Sequence, residues 1–245
     1  MTSWNRSPVL RPLAFVAGVA AYWLGKSSAR LANLRREALP LDAPTLRRLG
    51  ILLPQADLSN LRVVTGAWLP AWIFHRSIVG MAYKDRIYIA GRGSLDTYES
   101  FLLLLHESVH LLQFQRLGEF RFAGEYGRQF LYAGGYGRRM PLEAEAYDFV
   151  DRFRERIFSP RFYASLHMPL LDATQPNWEY QALCHFLDHG LHSGLASHPG
   201  FCAARHLELH PDVVTTSGPD DHPAALRHRL LHPRSPCPSL DSPDC

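Results

Sequence analysis

The sequence predicts an α+β fold in which a small sheet packs on a buried HExxH helix and a second helix carries a further ligand. Three observations lead there. His106-Glu107-Ser108-Val109-His110 sits in a leucine-rich stretch, with Leu102 to Leu105 before it and Leu111 and Leu112 after it, so this helix is apolar nearly all round and must be buried. Short segments rich in β-branched and aromatic residues precede it, at 61–64, 80–83 and 86–90, and read as strands. Pro141-Leu142-Glu143-Ala144-Glu145 follows it; proline at an early helical position with acidic residues behind it is a helix start.

A chain of 245 residues, 47% of them hydrophobic, can bury one sizeable core. Its formal charge of +3 is too small to imply nucleic acid as a partner. Cys184, Cys202, Cys237 and Cys245 all lie in the last quarter without CxxC spacing, so they form no zinc knuckle and fix no redox compartment. Internal repeats and nucleotide-binding glycine motifs are absent from the sequence, and nothing in it sets an oligomeric state.

In chain order, residues 1–41 form an N-terminal apolar or amphipathic helical segment. Its apolar run, Leu13 to Leu24 between Arg11 and Lys26, is shorter than the roughly 20 residues a bilayer-crossing helix needs. An export-signal core, a membrane-resting helix continuing through residues 29–36, and a soluble helix all fit it. Localisation therefore stays open, as does membrane association through residues 13–24. Residues 42–192 form the expected folded domain. Asp42-Ala43-Pro44 caps a helix ending at Gly50; Asp57-Leu58-Ser59 opens into a strand at Leu61; residues 80–83 and 86–90 make a hairpin about Lys84-Asp85; Gly91-Arg92-Gly93 ends the sheet. Asp96, three residues before Glu99, resembles a capping box for the motif helix, and Gly118 stops that helix. Phe120 to Gly137 reads as a short helix and loop whose aromatics pack rather than touch substrate. The next helix runs from Pro141 to about Ile157, ended by Ser159-Pro160. Asn177 to Leu191 reads as a helix with His185, His189 and His192 on one side, packed or solvated rather than a separate metal site. From residue 193 to 245, Pro, His, Ser and Asp accumulate and apolar periodicity fades, which predicts a mostly disordered tail.

The chemistry resides in the motif. On a helix, His106 and His110 fall one turn apart on one face, close enough to hold one metal ion. Glu107, one position round, is placed to take a proton from water at that metal without being a ligand. Two imidazoles and a carboxylate in a buried helix are costly unless they have partners, and a metal supplies one. A zinc site of this kind needs a third protein ligand and keeps a fourth position for water. Glu143 and Glu145 are the candidates, and two residues apart on one helix they cannot both be ligands. Glu143 shares its face with Ala146, Tyr147 and Val150, which can pack on the motif helix, whereas Glu145 shares its face with Asp148 and Arg152. That selects Glu143, with Glu145 the alternative.

HExxH followed at a distance by P-x-E-x-E-A resembles the gluzincin clan of zinc metallopeptidases. The chain is more closely similar to bacterial zincin-like domains found beside extracellular contractile injection systems. In these, a DLS-x-V-R-V-like strand, a glycine-led hairpin and a buried LLxHExxHxxQ helix follow in order. The matching residues here are Asp57 to Val63, Gly80 to Ile89 and Leu104 to Gln113. The resemblance implies a zincin-like fold, Zn2+ held by His106, His110 and Glu143, and a peptide or protein substrate aligned along Arg86 to Ala90 as the sheet edge. Many gluzincins carry an acidic residue four positions after the glutamate ligand; this chain has Tyr147 there, which leaves Asp148 as a substitute orienter or further ligand. The expected activity is peptide-bond hydrolysis by a zinc-activated water with Glu107 as general base. The alternative is a catalytically silent zinc-binding structural or interaction module, with or without membrane association; the presence of Glu107 argues for catalysis.

Overall fold

The computed structural model describes residues 10–69, 78–91 and 94–232. Arg92 and Gly93 of the expected sheet stop, and residues 233–245 of the expected tail, lie outside the described residues. The chain runs α1 (Leu10–Ala32), β1 (Leu39–Pro40), α2 (Ala43–Leu52), β2 (Arg62–Ala67), β3 (Gly80–Tyr83), β4 (Arg86–Ala90), α3 (Tyr98–Leu117), α4 (Glu119–Ala133), α5 (Pro141–Arg156), α6 (Pro160–His167) and α7 (Trp178–His185). It continues through a π turn (Phe186–Gly190), β5 (Ala196–His198), β6 (Phe201–Cys202), α8 (Ala203–Leu209), α9 (Pro211–Ser217) and α10 (His222–Leu231). The mixture is α+β, as the sequence predicts.

Contacts divide the chain into two compact units. The first holds the chain through Ala43, Gln55–Ser94 and Leu103–Asp148. Its four-stranded sheet has the order β1-β2-β4-β3, with β2 and β4 parallel and the other pairs antiparallel. Ile87, Tyr88 and Ile89 are all buried, because β4 is covered on both faces and paired on both sides. The expectation that Arg86 to Ala90 forms the sheet edge is therefore corrected: among the described residues the outer strands are β1 and Gly80–Tyr83. A hairpin signal says which strands are neighbours, but only the distant pairing of Val63 with Ile87 decides which of them lies outermost.

In the first unit α1 packs along α4 through a stripe of small residues. Ala14, Gly18, Gly25 and Ala29 are buried at helical spacing, and the two backbones come so close that a Cβ added to Gly127 would lie 2.0 Å from Gly18 Cα. The ring of Phe15 fills the space where Gly124 would carry a side chain. Lys26, 7% exposed, pairs with Glu119 at the start of α4, and Tyr22 donates to the same carboxylate at 2.9 Å. Asn33 closes the end of α1 on the sheet, donating to Trp68 O at 2.9 Å and accepting from Trp68 N at 2.9 Å. Residues 1–41 are thus no appended segment where described: α1 belongs to the same core as the sheet. Leu13, Val16 and Leu24 remain exposed on its outer face, and no described helix is long and apolar enough to cross a membrane.

Local signals set the ends of α3 and α4. Thr97, not Asp96, caps α3, its hydroxyl accepting from Ser100 N at 3.1 Å. Gly118 ends α3 at φ 76°, its N–H bonded to Phe114 O at 2.8 Å. A left-handed Gly134 ends α4, which at 15 residues is longer than the expected short helix.

The second unit holds Pro44–Pro54, Leu95–Leu102 and the chain from Phe149 onward. Phe158 stacks on Phe186 at 5.0 Å, and Leu49, Phe101, Phe153 and Phe201 are also buried. The helix expected over 177–191 turns into the π turn after His185, and at Gly190 a Cβ would lie 2.0 Å from the Tyr163 hydroxyl. The expected tail is corrected as far as residue 232: it is folded. Pro211 and Pro223 stand in first helical turns, where no intrahelical bond is lost, and Asp221 caps α10 by accepting from Ala224 N at 2.9 Å. Phe201, Leu207, Val213, Leu226 and Leu230 are buried, too widely spaced along the chain to show as an apolar period.

Gly127→Ala is expected to destabilise the protein by about 1–3 kcal/mol, the scale of overpacking where only backbone could give way. Gly50→Ala is the control, since nothing lies within 4 Å of its added Cβ, and alanine in a helix interior is the better former. Urea unfolding of both variants checks this; equal midpoints would show that α1 and α4 do not meet backbone to backbone.

Candidate metal centre

α3 supplies His106, Glu107 and His110 from adjoining turns, and α5 supplies Glu143 from its first turn. All four are buried, none more than 6% exposed. Glu143 Oε2 lies 3.3 Å from His106 Nε2, and Oε1 lies 3.4 Å from His110 Nε2. One ligand atom from each of these three residues falls within 4.8 Å of the others. Tyr126 from α4 donates its hydroxyl to Glu143 Oε1 at 2.7 Å.

A hydrogen-bond chain orients the second imidazole. His110 Nδ1 lies 2.8 Å from Gln113 Oε1, and the Gln113 amide nitrogen donates to Leu142 O at 2.9 Å and Glu145 Oε2 at 3.1 Å. The amide oxygen can only accept, so His110 carries its proton on Nδ1 and turns the Nε2 lone pair toward Glu143. Arg116 in turn grips Glu145 through both oxygens, at 2.9 and 2.8 Å.

Glu145, Tyr147 and Asp148 therefore stand apart from the three-residue cluster, each in a different way. Glu145 reaches His110 only through Gln113. Tyr147 lays its ring 4.5 Å from that of His106, and its hydroxyl meets Tyr136 at 3.2 Å. Asp148 is exposed and faces Arg138 at 3.5 Å, so it does not replace the acidic residue missing at 147.

The electrostatics call for a cation. Burial alone would raise the Glu143 carboxyl, but the imidazoles of His106 and His110 overcome it and hold the group well below its usual range. Burial likewise works to lower His110, and the carboxylate of Glu143 reverses this, pushing the imidazole up to about 9. Glu107 is different. Burial raises its carboxyl above the ordinary value, against the opposing pull of the two histidines, which makes it a stronger base. Burial also raises the phenols of Tyr126 and Tyr136, with the charge of Glu143 adding to the effect.

A cavity of about 300 Å³ opens at this cluster, lined by Glu107, His110, Glu143, Tyr126 and Tyr136 on one side and by α1 and β3 residues such as Gly18, Tyr22 and Met81. Gly80 is required here: a Cβ would meet Glu107 Oε1 at 2.4 Å. The sequence assigns Gln113 no role and Tyr126 and Tyr136 only a packing one, whereas Tyr126 bonds Glu143 and both tyrosines line the cavity. Gln113 three residues beyond His110 was a readable signal, since i and i+3 share a helix face; the tyrosines gave none, because their approach depends on how α4 crosses α3. No protein-family model, curated protein or solved structure matches the chain.

The coupled His110–Glu143 pair predicts a pH dependence for metal-free protein. His110 is raised above its unfolded value, so its contribution is complete below about pH 6.5 and lost as pH rises through about 9. Glu143 is depressed, so its contribution is present above about 4.5 and lost as pH falls through its folded value. Thermal unfolding in chelator should therefore show a component of stability between about pH 4.5 and 6.5 that declines toward pH 9 and vanishes in Glu143→Gln. A wild-type profile parallel to that of the variant would contradict the coupling.

Proposed function

We propose that the chain is a zinc-dependent metallopeptidase of the gluzincin type, with a zincin-like first unit. The observation that carries the reading is the convergence of His106, His110 and Glu143, with Glu107 beside them, at a cavity bordered by a free strand edge.

The donor set fits zinc. Glu143 Oε2 is buried and has no hydrogen-bond partner, a costly state for a carboxylate oxygen; His106 Nε2 lies 3.3 Å from it and His110 Nε2 lies 3.4 Å from Oε1, and an imidazole with its lone pair on Nε2 cannot donate to either oxygen. Two imidazoles and one carboxylate are a usual zinc ligand set with one position left open. Zinc bound there supplies Lewis acidity, polarising a carbonyl oxygen and acidifying water.

The remaining roles belong to the protein. Glu107, kept basic by burial, accepts the proton of the attacking water and returns it to the leaving nitrogen. The Ala82 backbone N–H hydrogen-bonds to its carboxylate and Gly80 packs against it, holding it in the cavity wall. β3 is hydrogen-bonded to β4, with Ala90 N donating to Val79 O at 2.8 Å; the alternation of an antiparallel ladder turns the backbone of Gly80 and Ala82 to the other side, where the Ala82 N–H holds Glu107 and the carbonyl groups can take an extended peptide by strand pairing. Tyr136 lines the cavity, and its hydroxyl, 3.2 Å from that of Tyr147, is the donor assigned to the oxyanion developing on the scissile carbonyl. Gln113 and Glu145 keep His110 in its ligating tautomer.

Glu107→Gln should retain zinc and lose roughly 10²-fold or more in peptide hydrolysis, the scale of a general-base contribution. Zinc content and turnover of a peptide library on the same samples check it. Retained zinc with no turnover in either form would favour a silent zinc-binding module.

Glu143→Ala should abolish zinc retention at this centre against a competing chelator, whereas Glu145→Ala should weaken it by about 10- to 100-fold, as loss of a group that orients a ligand does. Circular dichroism on both variants excludes misfolding. Equal retention by both would place the third ligand elsewhere.

A further inference from the structure

We propose that His206, His210 and His228 form a second metal site, taking a zinc-type divalent cation that pins α10 to α8. The cluster lies wholly within the second unit. His206, in α8, and His210, just past its end, are four residues apart and share a face; His228 comes from α10. One ligand-capable nitrogen from each lies within 4.8 Å of the others. The rings stand 4.2, 5.2 and 4.8 Å apart in the pairs 206–210, 206–228 and 210–228. His206 is fully buried and the other two are half-buried.

Packing alone is a poor account of this arrangement. His206 Nδ1 is buried with no hydrogen-bond partner, and His206 Nε2 faces His228 Nδ1 at 2.9 Å, where only one of the two nitrogens can hold the proton. Aliphatic side chains would fill the same space without leaving a buried polar nitrogen unmatched. A cation held between His206 Nε2 and His228 Nδ1 would take a lone pair from each ring in place of that one proton, with the proton of His206 on Nδ1. The ligand set is three imidazoles, which selects zinc, copper or nickel over magnesium or calcium. The exposed Asp212 carboxylate lies 4.0 Å from His228 Nε2, beyond hydrogen-bond reach.

The site is independent of the centre at His106, and the test separates the two. Untagged full-length protein is stripped with chelator, reconstituted with zinc and desalted. Wild type should retain two zinc ions per chain, His110→Ala one, His228→Gln one, and the double variant none; His210→Gln should repeat the loss seen with His228→Gln. Zinc should raise the melting temperature of His110→Ala but not that of the double variant. X-ray absorption at the zinc edge of His110→Ala should report three imidazole ligands. The proposal is overturned by a wild-type stoichiometry of zero, by a single zinc ion that disappears with His110→Ala, by zinc retention unchanged in both His228→Gln and His210→Gln, or by fewer than three imidazoles at the edge. A single wild-type zinc that survives His110→Ala but not His228→Gln would uphold this site and sink the one at His106.

Discussion

A carboxylate buried between two imidazoles is the constraint on which the first unit turns. Removing a carboxylate from water costs several kcal/mol unless a cation or a set of donors replaces the solvent. Tyr126 offers Glu143 one donor, and the imidazole nitrogens offer lone pairs unless one of them is protonated. The cluster therefore requires a positive charge, and the raised His110 marks the proton that supplies it in the metal-free protein. Under the proposed function a metal ion takes that place, so proton and metal compete for one position. The Gln113 bridge holds the other His110 proton on Nδ1, so that the proton lost when the imidazole becomes neutral is the one on Nε2, facing the carboxylate.

The cavity beside this cluster is made by close backbone approach rather than by bulk. Gly18 against Gly127 brings α1 onto α4, and Gly80 brings the edge strand against Glu107. Larger residues at any of these places would push apart elements whose separation sets where Glu107 and the His106–His110–Glu143 cluster stand. The buried Lys26–Glu119 pair and the paired amide of Asn33 then hold α1 in register. Through α1, the segment that looked from its composition like a signal or an anchor becomes part of the cavity wall.

The second unit teaches the opposite lesson about composition. Proline, histidine and aspartate after residue 193 suggest a chain too polar to fold, yet among the described residues Pro211 and Pro223 start helices, Asp221 caps one, and His206, His210 and His228 turn inward on each other. Polarity counts against folding only where polar groups lack partners, and here most of them have partners. The residual mismatch, at His206, is the feature that sets this region apart from an ordinary core.

Much of the centre was legible in the residues themselves. The HExxH spacing places two imidazoles on one helix face whatever the surroundings, Gly118 ends that helix because left-handed backbone favours glycine, and a two-residue turn at Lys84-Asp85 makes neighbours of its flanking strands. Glu143 was chosen over Glu145 by the side its helix face would present, and the structure brings that carboxylate to the two histidines while Glu145 turns to Gln113 and Arg116. These are properties of one turn of helix or a few residues of chain. Which strand is the edge, which tyrosines approach the carboxylate, whether residues 1–41 stand apart, and whether the histidines after 193 meet were decided only by the tertiary structure. Each depends on contacts between residues tens of positions apart, and those are set by the packing of whole elements, which no local spacing encodes.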